Sequence, residues 1–255
     1  MHLVLTGATG LVGTSVLDAM LKTPAITKIS ILSRRPVQMA QDSKDARVNV
    51  IIHADFEQYD GVMDKLRDAT GVVWALGVSQ NSVGKEDYVR ITKSYALAAA
   101  SAFQSIATPS KPVNFVFVSG AGATLTPGRF TPLFGRVKGE TELALAEMRK
   151  TNPGFKANTV RPAFVDWVGH EAVQKYMPPQ GLMLGGLGRV LHGAVSAGLF
   201  RGSWSPTESL GRALVDLAMG TWKGEELKGK GVEVLEGGFE VVENVGFRRL
   251  AGLDG

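Results

Sequence analysis

The residues of this chain with the clearest chemical meaning are three glycines, Gly7, Gly10 and Gly13. They follow the apolar run 3–5 and precede the apolar stretch 11–21, which predicts a strand, a tight turn and a helix. Glycine lets backbone amides approach a phosphate because no Cβ stands in the way, and the amino end of the helix attracts the same anion. The pattern predicts a loop that binds the pyrophosphate of a dinucleotide. The alternative is a glycine-rich turn that binds nothing.

Three residues after the second predicted strand, Ser33, Arg34 and Arg35, could choose between nucleotides. A site for NAD usually has an Asp or Glu here, whose carboxylate accepts a hydrogen bond from the ribose 2′-hydroxyl. A carboxylate would repel a 2′-phosphate, whereas a guanidinium binds it through charge-assisted hydrogen bonds. We therefore expect NADP(H) as the cofactor, with a solvated arginine pair as the alternative.

Two further strand ends could contact the adenosine part of such a cofactor. After the third predicted strand, Asp55 could accept a hydrogen bond from the adenine amino group, or it could cap the turn that follows. After the fourth, Gly77 follows Leu76 and would let the backbone lie against the cofactor. A structural glycine is the alternative at that position.

The elements that must position these groups alternate between strand and helix patterns, which is typical of a doubly wound parallel sheet. We predict an α/β Rossmann fold with a small C-terminal substrate or lid region. After the first strand, the predicted strands cover residues 28–32, 48–52, 71–75, 114–118, 155–160 and 232–235. The predicted helices after the first cover residues 85–106, 130–150, 207–219 and 241–250.

The alternation weakens after residue 161, so we divide the chain there. Residues 1–160 are predicted to be the Rossmann core that binds NADP(H), and residues 161–255 a C-terminal region of the same structural unit. Because ligands of doubly wound folds bind outside the carboxyl ends of the strands, segment 163–205 is the natural lid or substrate wall. Its apolar residues suit a hydrophobic small-molecule substrate, with core packing as the alternative: Phe164, Trp167, Tyr176, Met177 and Met183.

Composition restricts the partners and the compartment. The 255 residues contain no cysteine, which excludes disulfides and thiolate chemistry and suits a reducing compartment. The net charge of +4 comes from scattered basic pairs, so we expect no nucleic-acid partner. No uncharged apolar run of about 20 residues occurs, and the first strand begins at once. We therefore expect a cytoplasmic protein with no membrane span and no targeting signal.

Four motifs resemble the short-chain dehydrogenase/reductase superfamily in its extended and atypical forms. They are the glycine loop, Val118-Ser119-Gly120-Ala121, Val137-Lys138-Gly139-Glu140-x-Glu142 and Arg161-Pro162-Ala163. Over roughly residues 1–250 the chain is similar to the Tat-interacting-protein-like, NmrA-like branch and its fungal relatives. The resemblance implies an NAD(P)-binding oxidoreductase and a homodimer built on helices 85–106 and 130–150. It also implies cofactor contacts from Gly7, Thr9, Gly10, Leu11, Val12, Gly13, Arg34, Lys138, Pro162 and Ala163.

The catalytic positions depart from the pattern of the family. There a tyrosine four residues before the lysine is the general acid, and here that position is Phe134, whose ring has no proton to give. Lys138 matches the lysine, which in the family bonds the nicotinamide ribose and stabilises the phenolate. Ser119 is the candidate for the serine of the family, unless it lies one residue early and Gly120 occupies that place. The candidates for a replacement acid are Tyr88, Tyr95, Tyr176, His170 and His192.

These residues favour an NADP(H)-dependent reductase that lacks the usual tyrosine and reduces an activated C=C or C=O bond of a hydrophobic small molecule. Reduction of an activated C=C bond depends less on the tyrosine, because any hydrogen-bond donor, such as Ser119 or Lys138, can stabilise the enolate oxygen. The alternative is a non-enzymatic NADP(H)-binding redox sensor or interaction protein. Epimerisation of a sugar nucleotide is disfavoured because it needs the tyrosine as a base.

Overall fold

The computed structural model describes residues 1–178, 192, 201–222 and 224–254. Its longer strands are rich in β-branched and aromatic residues, as expected for strands covered on both faces. The strands are β1 (His2–Thr6), β2 (Lys28–Ser33), β3 (Val48–Ile52), β4 (Gly71–Trp74), β5 (Val113–Val118), β6 (Phe155–Arg161), β7 (Phe164–Asp166), β8 (Trp204–Pro206), β9 (Val232–Val234) and β10 (Glu240–Glu243).

The helices lie between these strands, and a π-helical turn over Arg90–Ser94 joins two of them into the long helix predicted over 85–106. They are α1 (Leu11–Leu21), α2 (Gln38–Ser43), α3 (Asp60–Met63), α4 (Lys85–Val89), α5 (Tyr95–Ile106), α6 (Leu133–Thr151), α7 (Glu171–Gln174), α8 (Thr207–Met219) and α9 (Asn244–Leu250). None of the helices within the described ranges is both long and apolar enough to cross a membrane.

Eight of the strands form one sheet in the order β3-β2-β1-β4-β5-β6-β10-β9. All neighbours in it are parallel except β9, which runs antiparallel to β10 at the edge. The strand order reverses between β1 and β4, where Leu5 pairs with Val73 on one side and with Ile31 on the other. The prediction of a doubly wound α/β fold is confirmed, and this reversal is the usual position of a ligand crevice.

Both faces of the sheet are buried, because helices cover each of them. Leu3 and Leu5 belong to the core layer beneath α1 and α8, whereas Val4 points into the opposite layer with the aromatic side chains of β4, β5 and β6. Helices α1 and α8 pack at very short range, since a Cβ on Gly211 would lie 2.4 Å from the carbonyl oxygen of Ser15. The glycine loop is therefore held between a buried strand and a tightly packed helix.

The prediction of a helix over 241–250 was wrong in its first part. Strand β10 covers Glu240–Glu243 and joins the sheet beside β6, and α9 begins only at Asn244. Val241 and Val242 are both fully buried, so the strand shows no alternation of apolar and polar residues. The three-residue strands β7 and β8, which pair with each other, were not predicted because they are too short to have a pattern.

Candidate functional site

The loop between β1 and α1 needs glycine at two positions for its own packing. Gly7 has a φ of +74°, and a Cβ there would lie 2.3 Å from the carbonyl oxygen of Ala75. A Cβ on Gly13 would lie 2.0 Å from the carbonyl oxygen of Gly7. Gly10 differs, because its Cβ would meet only that same oxygen, at 3.3 Å. The side of the loop at Gly10 is therefore open, which leaves room for a ligand.

The amino end of α1 points at this open side. Gly10 is the N-cap residue and provides no side-chain cap, so the first N–H groups of the helix are free to bind an anion. Leu11 and Val12 form this first turn and are half-buried. They border a cavity, described below, that is also lined by Lys138. The predicted phosphate-binding arrangement is thus present as geometry: a close turn, an open glycine and an uncapped helix end.

A cavity of about 430 Å³, the Arg34 cavity, lies beside this loop at the ends of β1, β2 and β4. The guanidinium groups of Arg34 and Arg35 are exposed and have no hydrogen-bond or ion-pair partner among the described residues. Ser33 Oγ donates a hydrogen bond to the carbonyl oxygen of Arg35 at 2.7 Å and so fixes the turn. No carboxylate belongs to the described lining: Gly7, Thr9, Leu32, Ser33, Arg34, Arg35, Phe56 and Leu76.

Asp55 lies outside that lining and is exposed. Its carboxylate accepts a hydrogen bond from the backbone N–H of Glu57 at 3.0 Å, so of the two predicted roles the structure contains the turn cap. The neighbouring Phe56 lines the cavity instead and is buried. Sequence reasoning missed Phe56, although an aromatic residue in the loop that follows a strand end, here four residues beyond β3, is a usable signal for a stacking surface.

A second cavity of about 640 Å³, the Lys138 cavity, lies over the carboxyl ends of β4, β5 and β6. Leu76 borders both cavities, so the two adjoin at the end of β4. Many of the predicted site residues meet here, and the apolar walls include two residues of β7. The lining includes Gly10, Leu11, Val12, Leu76, Gly77, Ser119, Gly120, Lys138, Pro162, Ala163, Phe164 and Val165.

Lys138 is half-buried on α6 and is held from below by the end of β5. Its Nζ donates hydrogen bonds to the carbonyl oxygens of Ser119, at 2.7 Å, and Val118, at 3.2 Å. It also lies 5.6 Å from the centroid of the Phe117 ring. Burial lowers the pKa of Lys138 to about 8, although the charge of Glu142 acts in the opposite direction.

The carboxylate of Glu142 explains how α6 is fixed in place. It is fully buried and accepts hydrogen bonds from Arg161 Nε, at 3.0 Å, from Arg161 Nη2 and from Thr159 Oγ1. Arg161 Nη1 also donates to Glu243 at 2.6 Å. These bonds tie α6 to β6 and β10, and so bring Lys138 and Pro162 to the same cavity. The two motifs that contain Glu142 and Arg161 therefore position Lys138 and Pro162.

The position that faces Lys138 belongs to Gly120 and not to Ser119. A Cβ on Gly120 would lie 4.0 Å from Lys138 Nζ and 4.0 Å from the carbonyl oxygen of Pro162. Ser119 Oγ is buried and has no hydrogen-bond partner in the part of the chain that the structure describes. The ring of Phe134 lies outside the cavity lining, with its Cζ 2.9 Å from where a Cβ of Gly122 would be. Neither hydroxyl of the family pattern is present beside Lys138.

The replacement acids considered from sequence do not meet Lys138. Tyr176 Oη donates to Asp42 at 2.8 Å, and this tyrosine lines a separate cavity of about 260 Å³ with Thr9 and Arg35. His170 is buried between Asp18 on α1 and Thr207 on α8, and His192 is bonded to Asp166. Tyr88 is buried, which raises its pKa, and Tyr95 contacts Phe56.

The predicted substrate wall is divided between cavities. Phe164 lines the Lys138 cavity, whereas Met177 borders the cavity of Tyr176. Trp167 is half-buried and lines neither. Met183 lies outside the described residues. Among the described residues of segment 163–205, those that line the Lys138 cavity are Ala163, Phe164 and Val165.

Comparison with curated proteins identifies relatives in fungi, although no family model matches the chain. The Botcinic acid biosynthesis cluster B protein 16 of Botryotinia fuckeliana is 46% identical over 159 residues, which cover 62% of this chain and 99% of that protein. The Leucinostatins biosynthesis cluster protein T of Purpureocillium lilacinum is 34% identical over 198 residues, 70% of each chain. Protein fmp52, mitochondrial, of Emericella nidulans is 24% identical over 88% of this chain and 90% of its own.

Solved structures share the fold at low sequence identity. The KRED1-Pglu enzyme superposes with a TM-score of 0.62 at 16% identity, over 86% of this chain and 94% of its own. The reductase domain of PhqB from Penicillium fellutanum gives 0.62 at 16% identity, over 86% of this chain and 64% of that one. A UDP-glucose 4-epimerase from Thermotoga maritima gives 0.60 at 14% identity, over 84% and 72%. The chain thus belongs to the family of the botcinic acid and leucinostatins cluster proteins, and it shares a Rossmann-type fold with these solved structures.

Proposed function

We propose that this chain is an NADP(H)-dependent oxidoreductase without the usual catalytic tyrosine, and that it reduces an activated C=C bond of a hydrophobic small molecule. The observation that carries the proposal is the union of two cavities at the glycine loop. Counting only residues that the structure describes, one presents two unpaired guanidinium groups and no carboxylate, and the other presents a lysine ammonium between apolar walls. The first suits a phosphorylated nucleotide, and the second suits the reacting carbon skeleton.

The residues present fit a dinucleotide with a 2′-phosphate. The uncapped amino end of α1 and the open side of Gly10 accommodate a pyrophosphate. Arg34 and Arg35 supply charge-assisted hydrogen bonds for the 2′-phosphate. Leu76 and Gly77 lie along the path between the two cavities, and Pro162 and Ala163 border the far end. When bound there, the reduced cofactor supplies a hydride.

The walls of the Lys138 cavity indicate the kind of substrate. Val12, Val78, Phe164 and Val165 line it, so a largely apolar carbon skeleton is favoured over a sugar. The relatives are named for biosynthesis clusters of botcinic acid and leucinostatins. That association supports a biosynthetic intermediate as the substrate.

The missing hydroxyls favour a conjugated C=C bond over an isolated ketone. Reduction of a ketone leaves a full charge on an alkoxide, and a positioned proton donor is worth about 10²–10⁴ in rate. With Phe134 and Gly120 at the positions of the hydroxyls, that contribution is lost. In an enone the charge is delocalised into an enolate, which one hydrogen-bond donor can stabilise.

The first test is cofactor binding, measured by the fluorescence of NADPH on titration with the protein. We expect NADPH to bind at least tenfold more tightly than NADH. The double variant Arg34→Ala/Arg35→Ala should weaken NADPH binding by at least about 10–100-fold and leave NADH unchanged, because even one charge-assisted bond contributes about 1.5–3 kcal/mol. Arg67→Ala is the matched control, since Arg67 is exposed, pairs with Asp64 and lies away from both cavities. Equal affinities for NADH and NADPH in the wild type would contradict the cofactor assignment.

The second test is turnover of NADPH with pairs of hydrophobic enones and the corresponding saturated ketones. We expect oxidation of NADPH with the enones and little with the ketones. Preference for the ketones would contradict the proposed reaction.

Phe134 and Gly120 also favour the second candidate, a non-enzymatic NADP(H)-binding redox sensor or interaction protein, because both hydroxyls of the family pattern are absent. Tight binding of NADPH without turnover of any enone or ketone would support that candidate.

A further inference from the structure

The ammonium group of Lys138 has one proton to offer to a ligand. A lysine ammonium carries three N–H donors, and two of them are used on the carbonyl oxygens of Ser119 and Val118. No third acceptor for Nζ exists among the described residues. A half-buried N–H that lacks an acceptor is costly, so the group favours an oxygen from outside the chain.

The open space for that oxygen lies beside Gly120. The place that a side chain of residue 120 would fill is 4.0 Å from Lys138 Nζ and 4.0 Å from the carbonyl oxygen of Pro162. Within the described part of the chain, no other heavy atom outside the adjacent residues lies nearer. The Pro162 oxygen already accepts a hydrogen bond from the N–H of Ala121 at 2.8 Å, which leaves it one lone pair. We name this space, bordered by Gly120, Lys138 and Pro162, the Gly120 slot.

We propose that the Gly120 slot binds a single oxygen atom of the substrate, and that Lys138 is the residue that donates a proton to it. The two borders fix the chemistry of the oxygen. It must accept a hydrogen bond from Lys138 Nζ, and once it carries a hydrogen it can donate to the Pro162 oxygen. A conjugated carbonyl that becomes an enol during the reaction meets both conditions, as does a phenol.

The identity of this oxygen as that of an enone rests on the proposed function. The proton step is then balanced: the enolate oxygen that remains after hydride addition at the β-carbon takes a proton from Nζ. The N–H bond breaks as the O–H bond forms, and the neutral amine regains a proton from water. Burial lowers the pKa of Lys138 to about 8, so the group is still protonated at neutral pH but is a stronger acid than an ordinary lysine.

The slot can be tested by ligand binding alone, without the cofactor. The probes are 4-nitrophenol and nitrobenzene, which differ only in the oxygen that would occupy the slot. Both affinities are measured by displacement or absorbance titration on the full chain, at a mildly acidic pH at which 4-nitrophenol is uncharged. We expect the wild type to prefer 4-nitrophenol by about tenfold or more, the usual size of one charge-assisted hydrogen bond.

Three variants should remove that preference. Lys138→Met removes the donor, and Gly120→Ser places an internal hydroxyl in the slot. Gly120→Ala adds only a methyl group, whose distances of 4.0 Å are ordinary contacts and which should therefore fold. The controls are Gly128→Ala, where a Cβ meets nothing within 4 Å, and Lys156→Met, since Lys156 lies outside the Lys138 cavity. Both controls should keep the preference.

An unchanged preference in Lys138→Met or in Gly120→Ser would overturn the proposal. A wild type that does not prefer 4-nitrophenol would overturn it as well. If Lys138 donates its remaining proton to the cofactor ribose instead, Lys138→Met weakens NADPH binding and saturating NADPH removes the phenol preference of the wild type. That result would also overturn the proposal. Failure of NADPH to bind, with the phenol preference present and lost in the variants, would contradict the proposed function and leave the slot standing.

Discussion

The Arg34 cavity and the Lys138 cavity share one loop but differ in what they retain of the family pattern. The lining of the Arg34 cavity includes Gly7, Thr9 and Arg34, for which the resemblance implies contact with the cofactor. Beside the Lys138 cavity, the lysine and its supports remain, while both hydroxyls are replaced, by Gly120 and Phe134. Groups that bind and groups that transfer protons are thus separable in this fold, because different strand ends supply them.

The comparison also shows that loss of the hydroxyls has not loosened the site. Lys138 keeps two hydrogen bonds to β5, and the helix that carries it is tied to β6 through Glu142 and Arg161. The Lys138 cavity therefore differs from the family pattern in its missing hydroxyl groups and not in how its remaining residues are held in place.

The largest effect is expected from breaking the support of the Lys138 cavity. Glu142→Leu leaves Arg161 without its buried partner and should lower the free energy of unfolding by about 3–5 kcal/mol. Glu140→Leu is the matched control on the same helix, because its partner Lys93 is 33% exposed and Glu140 is 40% exposed. That surface pair should contribute about 1 kcal/mol or less. Urea denaturation of both variants measures the difference, and equal losses would contradict the positioning role of Glu142.

A second pair of variants separates folding from binding in the glycine loop. Gly13→Ala forces a methyl group to within 2.0 Å of a backbone oxygen and should cost about 1–3 kcal/mol of stability. Gly10→Ala meets only one atom, at 3.3 Å, and should cost less than about 1 kcal/mol. Its methyl group faces the open side, so NADPH affinity should still fall tenfold or more. Thermal unfolding and NADPH titration of Gly10→Ala decide the point: a stable variant with wild-type affinity would show that the pyrophosphate does not lie there.

Restoring the two missing hydroxyls should return the Lys138 cavity to the family pattern. We expect the double variant Gly120→Ser/Phe134→Tyr to gain about 10–100-fold in NADPH-dependent reduction of hydrophobic ketones, since a positioned proton donor is worth that much or more. Phe134→Tyr alone should gain less, because the ring tip lies against Gly122 and outside the cavity. Initial rates for both variants and for Gly120→Ser provide the comparison. A Phe134→Tyr variant as active as the double variant would contradict the position of the Phe134 ring tip outside the Lys138 cavity.

The smallest expected effect is a difference in the pH at which two lysines of α6, Lys138 and Lys150, lose their protons. Burial lowers the pKa of Lys138 to about 8, whereas the hydrogen bond and charge of Glu236 raise the pKa of Lys150. Only the neutral amine reacts in reductive methylation, and its fraction rises as the pH passes the pKa. Lys138 should therefore be methylated with a midpoint of about pH 8 and Lys150 only at higher pH, as followed by peptide mass spectrometry. Labelling of Lys150 before Lys138 would contradict the lowered pKa.

Much of the fold followed from local pattern. Strand β3 and helices α1 and α8 have the predicted bounds, because a continuous apolar run or a helical period extends over each whole element. Strand β10 did not follow, since Val241 and Val242 run directly into α9 and carry no period of their own. Its place is set by the free edge of β6, a tertiary fact that no local window contains.

The site was predictable where the residue type alone defines a role. The glycines were predicted from their spacing and the arginines from their place after a strand, and the structure brings Gly7, Arg34 and Arg35 to one cavity. Their role in binding a nucleotide stays a prediction. Sequence alone could not decide whether Ser119 or Gly120 faces Lys138. Successive residues at the end of a strand point to opposite sides, so the choice needed the direction of the Cα–Cβ bond. Glu142 and Arg161 could be seen as motif residues, but only the fold brings them together across 19 positions.

Helix α1 connects the glycine loop to the C-terminal region in a way that limits recombination. Its amino end follows the glycine loop, while Asp18 farther along binds His170 and Ser15 packs against Gly211. A chimera that exchanges residues 161–255 between relatives would cut across both contacts. The C-terminal region and α1 should therefore have been inherited together, and a productive exchange would have to carry the partners of Asp18 and Ser15 as one set.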